Sequence, residues 1–502
     1  MALGDRRQIS SLKRRGVRVV DLRDATITSG LVDCHTHFMY WAVSRAYTID
    51  VADCRSKAET LERLKRRAAK CSIGEWVVGL GFNHNLWPDG SPTAADLDPL
   101  FPDRPVVVRS RDTHMAWLNA IALRRAGIDA NTPDPAGGRY ERDERGCLNG
   151  IVLEKAAERL PDPIWELAAR TDARSLRVID RALEQAYRTA WSLGLTGVHT
   201  VDGAHSLAHL QRHHGARRLG LRVLHGVPLE NLEHATALGL RTGLGDDWLR
   251  IGGMKIFSDG ALGSHTAYMY EPYPGTNGQC GVPVVYGEAL REAVVEAARC
   301  GWALWIHAIG DRAVHEVVEA LAAARKVEET PLPHRIEHAQ CARPADVRRM
   351  GRLGIIASVQ PCHIMGDIRT AQRLWPKAQK NAYAFRSMLA AGVTLALGSD
   401  VPVESNDPRR GLYGATVRTD LDGYPAGGWT AEQRLSVEEA LIGYTRGAAA
   451  CSRGAELRGT LSIGAPADLT IWYDDPLEAA GEDLLNLRIG GCMINGELHL
   501  ND

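Results

Sequence analysis

Gly30-Leu31-Val32-Asp33-Cys34-His35-Thr36-His37 is the stretch of sequence that decides the fold. Its apolar start is typical of a short buried strand. The His-x-His that ends it places two imidazoles on one face, because residues i and i+2 of a strand point the same way. Neutral imidazole nitrogen suits zinc and similar metals, but a metal site normally needs three or four ligands. Further ligands are therefore expected elsewhere in the chain.

Polar residues also end or occupy four later strand-like runs. They are Lys255 within residues 254–257, His307 after residues 303–306, His338 after residues 334–337 and Asp400 after residues 394–399. In a parallel (β/α)8 barrel, side chains at the carboxyl ends of the strands meet in one pocket, however far apart they lie along the chain. The spacing leaves room for a helix between most of these runs. The sequence therefore predicts an α/β protein with such a barrel over residues 30–453.

Two regions are expected to lie outside the barrel. Residues 52–163 contain more sequence than one connection between barrel strands requires, and turn-rich patches interrupt them. We interpret them as an insertion after the first barrel strand that covers the substrate. Residues 1–29 and 454–502 carry short strand patterns, and these two chain ends are expected to form a small β-sandwich domain together.

The composition favours a large soluble protein. Among its 502 residues 45% are hydrophobic, and 60 Lys and Arg nearly balance 61 Asp and Glu, for a formal net charge of −1. This balance gives no electrostatic case for nucleic acid or an anionic membrane, so a small-molecule partner is expected. The start of the chain lacks an apolar signal core, and no apolar run reaches the roughly 18 residues that span a bilayer. A cytoplasmic location is expected.

The ordered motifs resemble those of the metal-dependent amidohydrolase superfamily. They are the stretch at residues 30–37, Met-Lys-Ile-Phe-Ser-Asp-Gly-Ala-Leu-Gly-Ser at 254–264, His-Ala-Ile-Gly-Asp-Arg-Ala at 307–313, Ile-Glu-His at 336–338 and Leu-Gly-Ser-Asp at 397–400. Residues 79–90 and 112–119 look more specifically like its family 3, which includes the N-substituted formamide deformylase-like proteins. Relatives usually have an opening pair of strands before the segment that matches residues 2–5. The small domain is therefore expected to be incomplete at its N-terminal edge.

The resemblance also implies a set of metal ligands and a homodimer. Its binuclear members hold two divalent metals, here expected to be zinc, and the matching residues are His35 and His37 for one ion, His307 and His338 for the other, Lys255 as bridge, and Asp400 as ligand and proton carrier. A protonated lysine has no lone pair to offer a cation. Lys255 would therefore bridge the metals only after carbon dioxide has converted it to a carbamate, an N6-carboxylated lysine.

Structural alternatives exist for each of these residues. Lys255 would otherwise pair with Asp259 or Asp202, and Asp400 would cap a turn. The histidines would be buried, hydrogen-bonded core residues, although the order of all four at strand ends, together with one terminal aspartate, argues against this. Arg335 and Glu337 precede His338 at odd offsets, so an ion pair that faces away from the site is expected there.

Substrate contacts are assigned from weaker signals. The candidates are Trp87, His114, Asp259 and His265. Two of them, Trp87 and His114, lie in the expected insertion, and the other two lie in the loop after the lysine strand. Aromatic and polar residues of loops more often pack or cap than bind a ligand, so these four are secondary to the metal ligands.

Taken together, the motifs predict hydrolysis of a non-peptide C–N bond in a linear amide or an N-formyl or N-acyl compound. A metal-activated hydroxide would attack the carbonyl carbon, while Asp400 takes a proton and returns it to the departing nitrogen. One alternative is a mononuclear metal-dependent deaminase of the same superfamily, against which Lys255 argues because one metal needs no bridge. The other is a non-catalytic, metal-stabilised regulatory scaffold, against which the complete ligand set argues.

Overall fold

The computed structural model of the chain describes residues 4–10, 16, 18–68, 76–158, 160, 162–327, 330–452, 454 and 456–501. The strands within these ranges are β1 (Thr26–Ser29), β2 (Leu31–Thr36), β3 (Ile49–Asp50), β4 (Val77–Phe82), β5 (Val106–Ser110), β6 (Met115–Leu118), β7 (Gly138–Arg142), β8 (Leu148–Glu154), β9 (Leu195–Thr200), β10 (Arg222–Pro228), β11 (Leu249–Phe257), β12 (Ala303–Ala308), β13 (Arg335–His338), β14 (Ile356–Val359), β15 (Leu395–Leu397), β16 (Leu469–Trp472), β17 (Ile489–Ile494) and β18 (Glu497–Leu500).

The α-helices of the described residues vary from a single turn to about five turns. They are α1 (Arg6–Ser10), α2 (Phe38–Tyr47), α3 (Lys57–Arg67), α4 (Ala94–Leu97), α5 (Ala120–Arg125), α6 (Lys155–Glu158), α7 (Pro163–Ala168), α8 (Ala173–Ser192), α9 (Ala204–Gly215), α10 (Leu232–Ala237), α11 (Gly287–Arg299), α12 (Asp311–Ala324), α13 (Pro344–Leu353), α14 (Ile364–Leu374), α15 (Phe385–Ala390), α16 (Pro408–Thr416), α17 (Val437–Ile442), α18 (Ala448–Ala450) and α19 (Asp483–Asn486). Within the described ranges, no helix combines the length and the apolar character needed to cross a membrane.

Eight parallel strands form the barrel. β2 pairs with β9, and β9 to β15 follow one another in chain order across the sheet. A parallel bridge between Thr36 and Val401 joins the end of the last strand back to β2. The (β/α)8 barrel predicted from the sequence is therefore confirmed, and the carboxyl ends of its strands share one rim.

Helix α8 shows how the sequence places helices outside this barrel. The carboxylate of Asp172 caps its start by accepting hydrogen bonds from the backbone N–H groups of Arg174 and Ser175, both at 3.0 Å. Ile179, Leu183 and Tyr187 recur every four residues and are buried against the strands. Apolar residues at this spacing form the stripe that a helix buries against a sheet.

The barrel interior is filled rather than hollow. The indole of Trp305 lies across it, and the guanidinium of Arg335 stacks on that ring at 3.7 Å from its centroid. Gly252 and Gly253 make room for the indole, since a Cβ atom at either position would come within 2.3 or 2.4 Å of a Trp305 ring atom. These side chains form a packed floor beneath the carboxyl ends of the strands.

The insertion after the first barrel strand is a six-stranded sheet of its own. Its strand order is β3-β4-β5-β6-β8-β7, with β3, β4 and β5 parallel and the other pairs antiparallel. Both of its faces carry apolar clusters, one of which includes Phe82, Trp87 and Trp117. The connection from β5 to β6 reaches the barrel rim and contributes polar side chains there.

Strands from both chain ends form a third, antiparallel sheet with the order β1-β16-β17-β18. Thr470 ties this sheet to the barrel, because its hydroxyl accepts a hydrogen bond from the N–H of Leu31 at 3.0 Å and donates one to the carbonyl of Gly194 at 2.6 Å. The two chain ends, which were expected to form a small β domain, therefore contribute the four strands of one antiparallel sheet. The expectation of an incomplete N-terminal edge concerns residues 2–5, of which 2 and 3 lie outside the described residues.

Candidate metal centre and substrate cavity

The predicted metal ligands converge on one cavity at the carboxyl ends of the barrel strands. This cavity has a volume of about 310 Å³, and its walls include all six predicted ligands: His35, His37, Lys255, His307, His338 and Asp400. Five strand ends of the barrel supply these side chains. The structure therefore brings together residues that lie as much as 365 positions apart, as the position of a barrel site requires.

Asp400 lies at the middle of this group. Its Oδ1 atom is 3.5 Å from Nε2 of His35 and 3.5 Å from Nε2 of His37. One ligand atom each of His35, His338 and Asp400 lies within 4.8 Å of the others, a spacing that one metal ion can span. Asp400 and His338 adopt positive φ values of 63° and 72°. Such backbone strain persists where the surrounding structure enforces it, and it often marks functional sites.

Three buried atoms of this group have no hydrogen-bond partner among the described residues: His35 Nε2, Lys255 Nζ and Asp400 Oδ1. A buried polar atom without a partner is costly, so native proteins normally satisfy it. Nitrogen and carboxylate oxygen are also the donor atoms that a divalent transition metal prefers. The residues present therefore fit a metal centre.

Hydrogen bonds behind the centre orient its histidines. His35 donates from Nδ1 to Glu337 Oε2 at 2.5 Å, and His338 donates from Nδ1 to Gln360 Oε1 at 2.8 Å. Each bond fixes the proton on Nδ1 and leaves Nε2 as the lone-pair nitrogen, as is usual for metal-binding histidines. Burial lowers the pKa of both imidazoles well below the ordinary range, so they are neutral and able to bind a metal.

His307 carries its ring proton on the other nitrogen, Nε2 instead of Nδ1. Its Nε2 donates to the carbonyl of Gly260 at 3.0 Å, which leaves Nδ1 as the lone-pair nitrogen. The ring lies between those of His114 and His338, at centroid distances of 5.2 and 4.5 Å. The loop after the lysine strand, to which Gly260 belongs, therefore fixes the orientation of this imidazole.

Lys255 is fully buried, and its ammonium position lies 4.4 Å from the centroid of the Phe257 ring. Burial lowers the pKa of Lys255 to about 8, although nearby carboxylates oppose this shift. The alternative pairing with Asp259 or Asp202 is not observed, since Nζ has no hydrogen-bond partner in the described part of the chain. The side chain lines the same cavity as the histidines.

The expectation that Glu337 faces away from the site is wrong. Glu337 and Arg335 do form a buried ion pair, with Nε of Arg335 2.5 Å from Oε1 of Glu337. The second carboxylate oxygen, however, accepts the proton of His35, which places Glu337 directly beneath the centre. The prediction assumed strand alternation up to His338, but the positive φ of His338 ends the extended conformation at that residue.

Among the predicted substrate contacts, His114 lines the cavity. Its Nδ1 lies 2.6 Å from Oε2 of Glu154, so the two side chains form a hydrogen-bonded pair. Burial alone would lower the pKa of His114, but the Glu154 carboxylate outweighs burial and raises this pKa to about 9. The sequence held no sign of Glu154, because the pair joins residues 40 positions apart, one in the β5–β6 connection and the other at the end of β8.

The structure places the other three candidates away from the cavity. Trp87 is buried in the core of the inserted sheet and donates from Nε1 to the carbonyl of Cys54 at 3.3 Å. Asp259 is fully buried, and its oxygens accept hydrogen bonds from the backbone N–H groups of residues 268, 309 and 310. His265 stacks on Tyr273 with ring centroids 5.8 Å apart. These contacts support loop structure rather than ligand binding.

Sequence reasoning missed much of the cavity wall. Tyr40, Trp165 and Phe257 give it aromatic surface, and Arg109 forms an ion pair there with Asp162 at 3.1 Å. The sequence signalled Arg109 only through its charge, which interrupts the apolar run at 106–110. The aromatic residues gave none, because buried aromatic residues are equally common in a core.

A second, smaller cavity of about 70 Å³ adjoins the first. The two share a wall that consists of Asp112, His114, His307, His338, Asp400 and Val403. The smaller cavity lies between the inserted sheet and the loops that follow β11 to β15, and its remaining walls combine polar with apolar side chains. The candidate metal centre therefore borders both cavities, one on each side.

Comparisons with known proteins agree with this geometry. A putative amidohydrolase, YtcJ of Bacillus subtilis, is 30% identical over 95% of this chain and 90% of its own length. The N-substituted formamide deformylase of Arthrobacter pascens is 28% identical over 99% of this chain and 92% of its own. The crystal structure of a metal-dependent hydrolase from Pyrococcus horikoshii superimposes with a TM-score of 0.73 at 27% identity, covering 94% of this chain and 90% of that one.

The model of the amidohydrolase family matches residues 18–498, which is nearly the whole chain. This match includes the barrel strands that supply the candidate ligands and the inserted sheet that supplies His114. The chain therefore belongs to the amidohydrolase family and is a metal-dependent hydrolase that acts on C–N bonds.

Proposed function

We propose that this hydrolase cleaves the C–N bond of a linear amide or of an N-formyl or N-acyl compound. The observation that carries the proposal is the convergence of three buried atoms on a cavity that also holds four further imidazoles. These atoms, His35 Nε2, Lys255 Nζ and Asp400 Oδ1, have no hydrogen-bond partner in the described part of the chain. The similarity to an N-substituted formamide deformylase supports an open-chain amide as the substrate.

His35 and His37 would hold one divalent ion, and His307 and His338 would hold a second. Lys255, if converted to a carbamate, would offer an oxygen to each ion from its position among these histidines. Zinc suits so many imidazole ligands. When bound, the metal lowers the pKa of a water molecule and polarises the carbonyl oxygen of the substrate.

Asp400 is assigned the proton transfer. Its Oδ1 atom accepts no hydrogen bond from the residues that the structure describes, and Asp400 lies in the wall shared by the two cavities. Hydrolysis forms a bond between the water oxygen and the carbonyl carbon and breaks the bond from that carbon to nitrogen. One water proton moves to Asp400 Oδ1 and from there to the departing nitrogen, so the products are an acid and an amine.

His114 is assigned a substrate contact. Glu154 fixes one nitrogen of its ring, and the ring lies against His307 at the point where both cavities meet. In this position the side chain comes from the inserted sheet and faces the reacting carbonyl from above the barrel rim. The inserted sheet would thus complete a site whose metal ligands all come from the barrel.

The test is metal content followed by turnover. Protein purified without chelator and supplied with zinc and bicarbonate should contain two metal equivalents per chain by plasma mass spectrometry. It should also hydrolyse members of a panel of formamides and N-acyl amines, with loss of activity after chelation. One equivalent, with activity on amino-substituted rings, would indicate the mononuclear deaminase instead. Two equivalents with no turnover on any amide of the panel would contradict the proposed substrate class.

A further inference from the structure

The candidate metal centre lies in the wall between two cavities of different character. The larger one carries the aromatic rings of Tyr40, Trp165 and Phe257. The smaller one is lined by one phenyl ring, that of Phe82, and a few aliphatic side chains, and the rest of its wall is carboxylates, amides, imidazoles and other polar groups. A scissile bond at the centre would therefore direct one side of the substrate into each cavity.

Carboxylates outnumber cations around the smaller cavity. Its walls contain the carboxylates of Asp112, Asp367, Asp400 and Glu404, against the guanidinium of Arg111 and the imidazole of His114, which pairs with Glu154. Asp400 belongs to the candidate metal centre, which leaves the other three to the cavity itself. Glu404 is compensated, since it pairs with Arg111 and lies 3.4 Å from a nitrogen of Arg410. The other two carboxylates have only neutral donors as hydrogen-bond partners.

Those neutral donors are hydroxyl and backbone groups. Asp112 accepts hydrogen bonds from the hydroxyls of Ser110 and Ser264, at 2.5 and 2.8 Å. Asp367 accepts one from the hydroxyl of Tyr383. A hydroxyl donor orients a carboxylate but does not neutralise its charge. The walls of the smaller cavity therefore hold more carboxylates than cations.

A buried amide oxygen in the same wall lacks a donor. His363 Nε2 lies 3.1 Å from the carbonyl of Ser399, and because a carbonyl can only accept, Nε2 carries the ring proton. The other ring nitrogen then accepts from Nε2 of Gln340 at 3.4 Å. This chain of bonds points Oε1 of Gln340 away from His363. Gln340 is 3% exposed, and Oε1 has no partner among the described residues.

We propose that the smaller cavity is a subsite for a primary ammonium group of the substrate, with Gln340 Oε1 and Asp112 as acceptors. An ammonium has three N–H donors and no acceptor, so it complements both the unpartnered amide oxygen and the carboxylate of Asp112. The larger cavity takes the aromatic or apolar part on the other side of the scissile bond. This assignment rests on the proposed function, because it places the C–N bond at the shared wall.

The test uses isosteric amides of one arylalkyl amine that differ only at the far end of the acyl chain. A 3-aminopropanoyl group ends in ammonium, a butanoyl group ends in methyl, and a succinyl group ends in carboxylate. A reversed series places the same three ends on the amine side of an arylalkanoyl amide. The preference is expected in whichever series places its varied end in the smaller cavity. In that series, kcat/KM for the ammonium compound should exceed that for the methyl compound about tenfold or more, and the carboxylate compound should be the poorest substrate.

Two variants locate this preference in the smaller cavity. Asp112→Asn and Gln340→Leu should each reduce the ratio of ammonium to methyl substrate at least several-fold. Asp162→Asn is the matched control, because Asp162 lines the larger cavity. It should leave the ratio unchanged even if it slows both reactions. An unchanged ratio in both Asp112→Asn and Gln340→Leu would overturn the assignment, as would a wild-type ratio near one in both series.

A binding measurement separates this subsite from the proposed reaction. Sulfonamides with the same ammonium or methyl ends resist hydrolysis, and calorimetry gives their Kd for wild-type protein and for the variants. If no amide is hydrolysed but the ammonium sulfonamide binds about tenfold more tightly, the reaction assignment fails while the subsite stands. Equal Kd values for the two sulfonamides would overturn the subsite, whatever the turnover.

Discussion

Replacing Glu337 with Gln should weaken both the fold and the metal centre. Glu337 is fully buried and accepts hydrogen bonds from Arg335 and His35, each at 2.5 Å. Gln has nearly the same volume, so Glu337→Gln leaves no cavity but leaves the Arg335 charge without a counterion. Loss of one member of a buried pair costs about 3–5 kcal/mol of unfolding free energy.

The same substitution also removes the acceptor that orients His35. A side-chain amide can present either its oxygen or its NH2 group to the imidazole, so Nε2 is no longer reserved for a metal. Loss of such an oriented partner typically reduces metal affinity about 10–100-fold. Urea unfolding of the metal-free protein measures the first effect, and competition with a calibrated zinc chelator measures the second.

Glu316→Gln is the matched control for this experiment. Glu316 pairs with Arg312 at 3.3 Å on the partly exposed face of α12, where an ion pair contributes less than about 1 kcal/mol, and it also accepts a hydrogen bond from the N–H of Gly287 at 2.9 Å. We expect wild-type zinc affinity in this variant. If Glu337→Gln lost less than about 1 kcal/mol and bound zinc as tightly as wild type, the role of Glu337 described above would be wrong.

Three further predictions address the site and the barrel floor. Asp400→Asn should fold and retain metal but lose at least about 100-fold in kcat, and near-normal turnover would contradict its role in proton transfer. In metal-free protein, the unfolding free energy should fall as pH rises from about 6.5 to about 9, because His114 holds a proton in the folded state that the unfolded chain releases. Glu154→Gln should flatten this part of the pH profile, and an unchanged slope would show that another group is responsible. Gly252→Ala should cost about 1–3 kcal/mol in urea unfolding, because its Cβ would lie 2.3 Å from the tryptophan ring of the barrel floor. Gly215→Ala, with no atom within 4 Å of the added Cβ, should be neutral or slightly stabilising, and an equal loss in both variants would exclude the ring contact as the cause.

The barrel and the convergence of the ligands could be predicted from the sequence because both follow from local patterns. A His-x-His after an apolar run fixes two side chains on one face, and strand ends of a parallel barrel meet by construction. Lys255 and Asp400 followed from the same rule. The convergence of these side chains therefore needed only strand boundaries and spacing, while their expected roles as metal ligands came from the family resemblance.

The substrate side could not be predicted in this way, because its residues meet through tertiary packing. Trp87 carries the same aromatic signal as Trp165, yet the first lies in the core of the inserted sheet and the second lines the cavity. The pairing of His114 with Glu154 depends on how β6 and β8 lie side by side. Glu337 was misplaced because a single residue in the left-handed region ended the strand alternation.

The filled floor of the barrel determines how molecules reach the reaction. Trp305 and Arg335 occupy the interior below the metal ligands, so no passage runs along the barrel axis. Substrate would enter, and both products would leave, at the carboxyl-end rim of the barrel, where the β5–β6 connection lines the larger cavity. An acid and an amine formed in separate cavities would then leave past the same rim. Any motion of that connection would set the order of their release, and the product that leaves second would compete with the next substrate.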